Sequence, residues 1–98
     1  MGFEFADKRL LHLYTSEEDA EKYGDRLVEA FFDVMATVAN AKDGRDIRRM
    51  KSLHYEKLKG KRSHERSLRL SSGKRLIVQE RKDERGQYLL IADVDDYH

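Results

Sequence analysis

The spacing of apolar residues changes once along this chain, and the change limits the folds open to it. Before Ser52 the apolar residues recur every three or four positions, as they do on one face of an amphipathic α-helix. The longest such run predicts a helix that is capped by Thr15 or Ser16 and ends at about Asn40. Its apolar positions are Tyr23, Leu27, Phe31, Val34, Met35 and Val38. After Ser52 the period becomes that of β-strands.

Shorter elements precede and follow this helix. Phe3 and Phe5 alternate with polar or small neighbours and predict an opening strand. Leu10, Leu11 and Tyr14 share one face of a first helix, and the segment DIRRM at residues 46–50 predicts one further helical turn. The first half is therefore expected to be mainly helical.

The second half of the sequence predicts β-strands separated by turns. The strand segments are LHYEKLK, SLRL, KRLIVQE and QYLLIADV, and the turns contain Gly60, the segment SSG and Gly86. Helices followed by an antiparallel meander predict an α+β fold, with the helices on one face of a small, mainly antiparallel twisted sheet. Ninety-eight residues suit one domain, so residues 1–98 are predicted to fold as one unit.

A net charge of +1 conceals a strong polarity along the chain. Residues 1–41 carry four Lys or Arg against nine acids, residues 42–75 carry thirteen against four, and residues 76–98 carry three against six. A local excess of this size predicts a surface for an anionic partner such as nucleic acid, because each phosphate contact releases a counterion. The alternative is a solvated basic face without a partner.

Several classes of protein are disfavoured by what the sequence lacks. It has no cysteine and therefore no disulfide. No apolar run reaches the roughly 20 residues of a membrane span, and the segment MGFEFADKRL lacks the apolar region of a signal peptide, so a cytoplasmic protein is expected. The histidines follow no metal-ligand spacing, and no phosphate loop is present, so neither a metal nor a cofactor is predicted.

The basic half has the groups that metal-free RNA cleavage requires. This reaction needs a proton acceptor for the 2′-OH, cations around the phosphorane and a proton donor for the 5′-oxygen. Arg75 is the preferred transition-state clamp, since its planar fork can engage two phosphate oxygens. The other candidate RNA-binding cations are Lys57, Lys59, Lys61, Arg62, Arg66, Arg69 and Lys74.

The histidines and the end of the sequence supply candidates for proton transfer. His98 follows Asp95, Asp96 and Tyr97, and imidazole can both accept and donate a proton near neutral pH. Tyr97 can stack on a base, although a final segment of this kind can equally be a frayed end. Lys57, Lys59, Lys61 and Arg62 cluster around one loop, which we call the basic loop. His54 and His64 flank this loop and could assist at a phosphate or be ordinary surface residues, whereas His12 is expected to be a packed or surface residue.

Three segments of the second half occur in an order typical of one group of proteins. LHYEKLKG is followed by SLRLSSGKRLIV and then by DVDDYH at the end of the sequence. In order and spacing these segments resemble the HigB branch of the RelE/ParE toxin superfamily, over about residues 52–98. The first half agrees with that family only in its architecture.

This resemblance implies a RelE-like fold and the toxin of a type II toxin–antitoxin system. Such a toxin is a ribosome-dependent endoribonuclease that cleaves mRNA and is neutralised by a small helix-turn-helix antitoxin. The resemblance places phosphate contact on Lys59, with Lys57 as the alternative one strand repeat earlier, and charge stabilisation on Arg75. Proton transfer or base positioning falls on Asp96, Tyr97 and His98.

Two other functions remain open. ParE-like members of the same superfamily inhibit DNA gyrase and perform no RNA chemistry. A non-catalytic RNA-binding protein would use the same Lys and Arg residues while the last residues are inert. The terminal DYH and the basic hairpin favour the RNA-cleaving toxin.

Overall fold

The computed structural model describes residues 1–71 and 73–96 of the chain. The strands are β1 (Gly2–Phe5), β2 (Glu56–Lys57), β3 (Arg66–Arg69), β4 (Lys74–Asp83) and β5 (Gly86–Asp96). The helices are α1 (Lys8–Ser16), α2 (Ala20–Tyr23), α3 (Asp25–Asn40) and α4 (Gly44–Arg49). Two turns of 3₁₀ helix, Lys51–Leu53 and Gly60–Arg62, flank β2. The predicted α+β class is confirmed.

The strands form one mixed sheet in the order β1-β5-β4-β3-β2. Every neighbouring pair is antiparallel except β1 and β5, which are parallel. A bulge in β5 pairs Ile77 with Asp93 but Val78 with Ile91, which leaves Ala92 as the extra residue. Because of the bulge, Ile91 and Val94 both pack against the core although they are three positions apart.

The helices cover one face of the sheet, as predicted, and we call this face the helix side. The α3 residues of the predicted apolar face, Phe31, Val34, Met35 and Val38, are at most 3% exposed. They join Leu10 and Leu13 of α1 and Ile47 of α4 against the sheet residues Leu68, Leu76, Val78, Leu89 and Ile91. The opposite face, on which Ser67, Arg69, Arg75 and Ile77 lie by strand alternation, is called the open face.

The prediction of one unbroken helix from Thr15 or Ser16 to Asn40 was wrong. Thr15 and Ser16 do not cap a second helix, because their hydroxyls donate to the carbonyl oxygens of Leu11 and His12 inside α1. A second break lies between α2 and α3 at Gly24, whose φ of 84° is in the region that favours glycine. The periodic apolar positions continue across this break, so the pattern alone did not reveal it.

The segment LHYEKLK is a strand over only two residues, Glu56–Lys57. Leu53 ends a 3₁₀ turn, and His54 adopts a left-handed backbone conformation with φ 46° and ψ 54°. A left-handed backbone does not continue a strand, so β2 begins only after His54, and it pairs with β3 over two residues. The predicted further turn at DIRRM is present as α4.

No helix among the described residues is both long and apolar enough to cross a membrane.

Candidate active site

A cleft opens on the open face, at the end of the sheet where β3 and β4 meet. Its volume is about 220 Å³. We call it the open-face cleft, and the residues that line it are His54, Glu56, Ser67, Arg69, Gly73, Lys74 and Arg75. Three of these are permanent cations and one is a carboxylate, so the cleft is polar and positively charged.

The strand register places two arginines side by side in this cleft. Arg69 of β3 pairs directly with Arg75 of β4 in the antiparallel ladder. Side chains at directly opposed positions have Cβ atoms about 4.5–5.5 Å apart and share one face of the sheet. Like charges at such positions repel each other, which destabilises the free protein. A phosphate between the two guanidinium groups would relieve this repulsion, since each can donate two parallel hydrogen bonds to phosphate oxygens.

Asp95 supplies part of the countercharge for Arg75. It pairs with Arg75 across β4 and β5, and its Oδ2 lies 3.8 Å from Nη2 of Arg75. The same oxygen is 3.3 Å from Nη1 of Arg62, whose Nε is 2.7 Å from Oε1 of Glu65. These carboxylates, Glu65 first and Asp95 second, raise the pKa of Arg62. Asp95 thus links the basic loop to the strand that carries Arg75.

His54 and Glu56 line the cleft from the side of β2, and we call these two residues its rim. Glu56 pairs with Ser67 of β3, which places it on the same face of the sheet as Ser67 and Arg69. His54 is exposed, and its left-handed backbone is uncommon for a residue other than glycine. Imidazole and carboxylate are the side chains that most often transfer protons in catalysis. The rim can therefore supply proton-transfer groups, which the arginines cannot.

The structure brings together four of the predicted site residues: His54, Arg69, Lys74 and Arg75 all line the cleft. Lys74 does so from the start of β4, where strand alternation assigns it to the helix side, and it also lines cavities beside Tyr23 and Leu27. Lys57, Lys59 and Lys61 are exposed but are not among its lining residues. Arg62 is not a lining residue either, but it forms an ion pair with Asp95, which in turn contacts Arg75 of the cleft. The charge excess at residues 42–75 is therefore partly spread over neighbouring surfaces.

Arg66 lies on the other side of the sheet. It alternates with Ser67 and shares the helix side with Leu68. Its Nε is 3.3 Å from Oε2 of Glu80, and its Cζ lies 5.7 Å from the centre of the Tyr55 ring. Arg66 therefore sits apart from the residues of the open-face cleft.

The last predicted residues can be followed only as far as Asp96. In the strand register Asp96 pairs with Lys74, which is itself a lining residue of the cleft. Tyr97 and His98 lie outside the described residues. The predicted roles of Asp96, Tyr97 and His98 therefore stay predictions.

Sequence reasoning missed three lining residues, Glu56, Ser67 and Gly73. The signal was present in the strand alternation, since Ser67 and Arg69 are two positions apart and must share a face. Glu56 could not be placed in the same way, because its pairing depends on the length of the loop between β2 and β3. Among residues 1–71 and 73–96, no cluster of three or more His, Asp or Glu side chains could hold a metal ion.

Comparisons with known proteins add a fold relationship. No family model matches the sequence, and no curated protein matches it. A solved structure described as a YoeB/ParE toxin from Agrobacterium tumefaciens is similar to this chain with a TM-score of 0.59. The two share 18% sequence identity, and the similarity covers 100% of each chain. The chain therefore has the α+β fold of this toxin, with a five-stranded sheet and helices on one face.

Proposed function

We propose that this protein is the toxin of a toxin–antitoxin pair and cleaves mRNA on translating ribosomes. The fold similarity to a YoeB/ParE toxin supports the first part of the proposal. The pairing of Arg69 with Arg75 in the open-face cleft is the main observation that supports the second part, cleavage of mRNA. Two opposed arginines are costly in the free protein and become favourable when a phosphodiester lies between them.

The proposed reaction is attack of the RNA 2′-oxygen on the adjacent phosphorus. An O2′–P bond forms, the P–O5′ bond breaks, and a proton passes from the 2′-OH to a base while an acid gives one to the 5′-oxygen. Arg75 and Arg69 stabilise the charge that develops on the non-bridging oxygens. Glu56 or His54 on the rim accepts the 2′ proton, and His98 supplies the proton for the leaving oxygen.

The cations outside the cleft hold the flanking RNA in this proposal. Lys57, Lys59 and Lys61 are exposed on the segment that leads away from the rim, where they can contact neighbouring phosphates. Such contacts position the strand without reading its bases. The antitoxin is proposed to be a small helix-turn-helix protein, and an adjacent reading frame that encodes one would support the pair.

Cleavage at translated messages is the direct test. Expression of the protein in bacterial cells is expected to create new RNA 5′ ends inside reading frames, and His98→Gln is expected to remove most of them because glutamine cannot donate a catalytic proton in this way. Mapping of RNA 5′ ends measures both. His12→Gln on α1 is the matched control, since His12 is exposed and far along the chain from the cleft.

Inhibition of DNA gyrase, the alternative function, would give the opposite result in these experiments. A ParE-like protein would leave the RNA 5′ ends unchanged, and the purified protein would inhibit DNA supercoiling instead. Binding of RNA without any new 5′ ends would indicate a non-catalytic RNA-binding protein. Either result would reject the proposed reaction.

Binding of single-stranded RNA is expected to weaken with salt in proportion to the phosphate contacts. If Arg69 and Arg75 each meet a phosphate, log K should fall with log salt concentration with a slope of about −1.4, at about −0.7 for each contact. Fluorescence anisotropy of a labelled RNA oligonucleotide measures this slope. Arg69→Gln should reduce its magnitude by about 0.7, and Arg81→Gln, which changes an arginine outside the cleft, should not. A slope near zero would contradict the phosphate contacts.

A further inference from the structure

We propose that Glu80, on the helix side of the sheet, is a positioning residue for the open-face cleft and acts on the cleft rim through Tyr55. The inference rests on the function proposed above and assigns a role to residues that the reaction does not touch. Strand alternation puts Glu80 on the same side as Leu76 and Val78, so it cannot reach a substrate in the cleft.

Glu80 is the centre of a compact polar network. The Tyr55 hydroxyl donates a hydrogen bond of 2.9 Å to Oε1 of Glu80. Nε of Arg66 lies 3.3 Å from Oε2, and Nη1 of Arg48 lies 3.7 Å from Oε1. Burial, followed by the Glu80 charge, raises the pKa of Tyr55, so the hydroxyl stays protonated and remains a donor. The Glu80 side chain is only 19% exposed, so these contacts form largely out of solvent.

The same carboxylate is fixed from a second direction by α4 and β5. The backbone N–H of Gly44 donates to Oε1 of Gln87 at 3.2 Å, and Nε2 of Gln87 lies 3.5 Å from Oε2 of Glu80. A Cβ atom on Gly44 would lie 2.8 Å from Oε1 of Glu80, closer than such atoms approach. The start of α4 therefore packs directly against the carboxylate.

Tyr55 transmits this fixed position to the cleft. It stands between His54 and Glu56, the two rim residues, and it packs against the core while both of its neighbours are exposed. His54 keeps a left-handed backbone that a residue of its type rarely adopts, and such a conformation persists only when surrounding contacts hold it. The Tyr55–Glu80 hydrogen bond is one of the contacts that can do so, together with the packing of the Tyr55 ring against the core and Arg66.

A carboxylate that is only 19% exposed is an unusual choice for simple stability. Removing charged groups from water is costly, and apolar residues of similar volume often pack at no loss of stability. A carboxylate that accepts a hydrogen bond from Tyr55 and forms ion pairs with Arg66 and Arg48 defines a position more sharply than apolar packing does. We therefore assign Glu80 to orientation of the rim.

Tyr55→Phe tests this role, because it removes one hydroxyl and keeps the ring. The backbone amide NMR signals of His54 and Glu56 are expected to shift, and kcat for RNA cleavage is expected to fall about tenfold with KM changed less than about twofold. Tyr88→Phe, a partly exposed tyrosine of β5, is the matched control and should change neither quantity. Glu80→Gln keeps an acceptor for Tyr55 and should retain more activity than Glu80→Leu.

The outcomes separate this inference from the proposed function. Unchanged amide signals at His54 and Glu56 in Tyr55→Phe would overturn the positioning role whatever the activity. Shifted signals in a protein whose wild type does not cleave RNA would support the positioning role and reject the nuclease. If Glu80→Leu fails to fold, Tyr55→Phe alone decides, since loss of one hydroxyl preserves the shape of the core.

Discussion

Replacing Arg75 with alanine is expected to lower RNA cleavage by about 10²- to 10³-fold, the loss typical when one group that stabilises transition-state charge is removed. Arg75 is 20% exposed, lies in the open-face cleft opposite Arg69, and is flanked by Asp95. Alanine removes the guanidinium but leaves strand β4 able to form. The measurement is the single-turnover rate on ribosome-bound message, together with circular dichroism to show that the fold is kept.

Two further variants define the cause of this loss. Arg75→Lys keeps one positive charge but loses the planar fork, so its activity should lie between those of wild type and Arg75→Ala. Arg81→Ala is the matched control: it removes an arginine from the same strand and the same face, six residues or about 20 Å from Arg75. Equal cleavage by wild type and Arg75→Ala would remove the proposed site. Equal losses in Arg75→Ala and Arg81→Ala would show that general surface charge, and not the cleft, is responsible.

Asp95 bears on the interpretation of these variants. It is close to both Arg62 and Arg75, so a carboxylate already lies beside the guanidinium that is proposed to bind a phosphate. A substrate phosphate must therefore compete with Asp95 for the guanidinium of Arg75. Because of this competition, the cleft should bind an isolated phosphate more weakly than its number of cations suggests. Ligands that contact several cations at once should bind better.

The parts of the fold that depend on local period could be predicted from the sequence. The apolar face of α3 and the long strands β4 and β5 follow directly from the spacing of their apolar residues. The parallel pairing of β1 with β5 could not be predicted, because it joins residues more than 80 positions apart. The break at Gly24 was missed for a different reason, since the apolar face continues on both sides of it.

The candidate site was likewise predictable where it depends on local sequence and not where it depends on distant pairing. The pairing of Arg69 with Arg75 on one face could be expected, because a short hairpin brings them together. The separation of Arg66 from them was also implied, since it is an odd number of residues from Arg69, but the basic composition of the whole segment obscured it. Glu56 joined the cleft only through the two-residue pairing of β2 with β3, which no local pattern indicates.

The stability of the molecule is expected to depend most on the aromatic cluster between α1, α3 and β1. Phe31 is 1% exposed, and its ring centre lies 6.4 Å from those of Phe5 and Tyr14 and 5.5 Å from that of Phe32. Phe31→Ala should lower the free energy of unfolding by about 3–5 kcal/mol, since it removes buried apolar area and leaves a cavity. That is a large share of the roughly 5–15 kcal/mol that stabilises a domain of this size.

Urea denaturation measures this loss as a lower midpoint with an unchanged m-value. Phe32→Ala is the matched control on the same helix: Phe32 is only partly buried, so its replacement should cost clearly less. A loss below about 1 kcal/mol for Phe31→Ala would contradict the packing described for the helix side. Because Phe31 lies on the opposite side of the sheet from the open-face cleft, the folded fraction of this variant should bind RNA with the same salt slope as the wild type. The helix side of the sheet is thus expected to determine stability, and the open face is expected to determine RNA binding and cleavage.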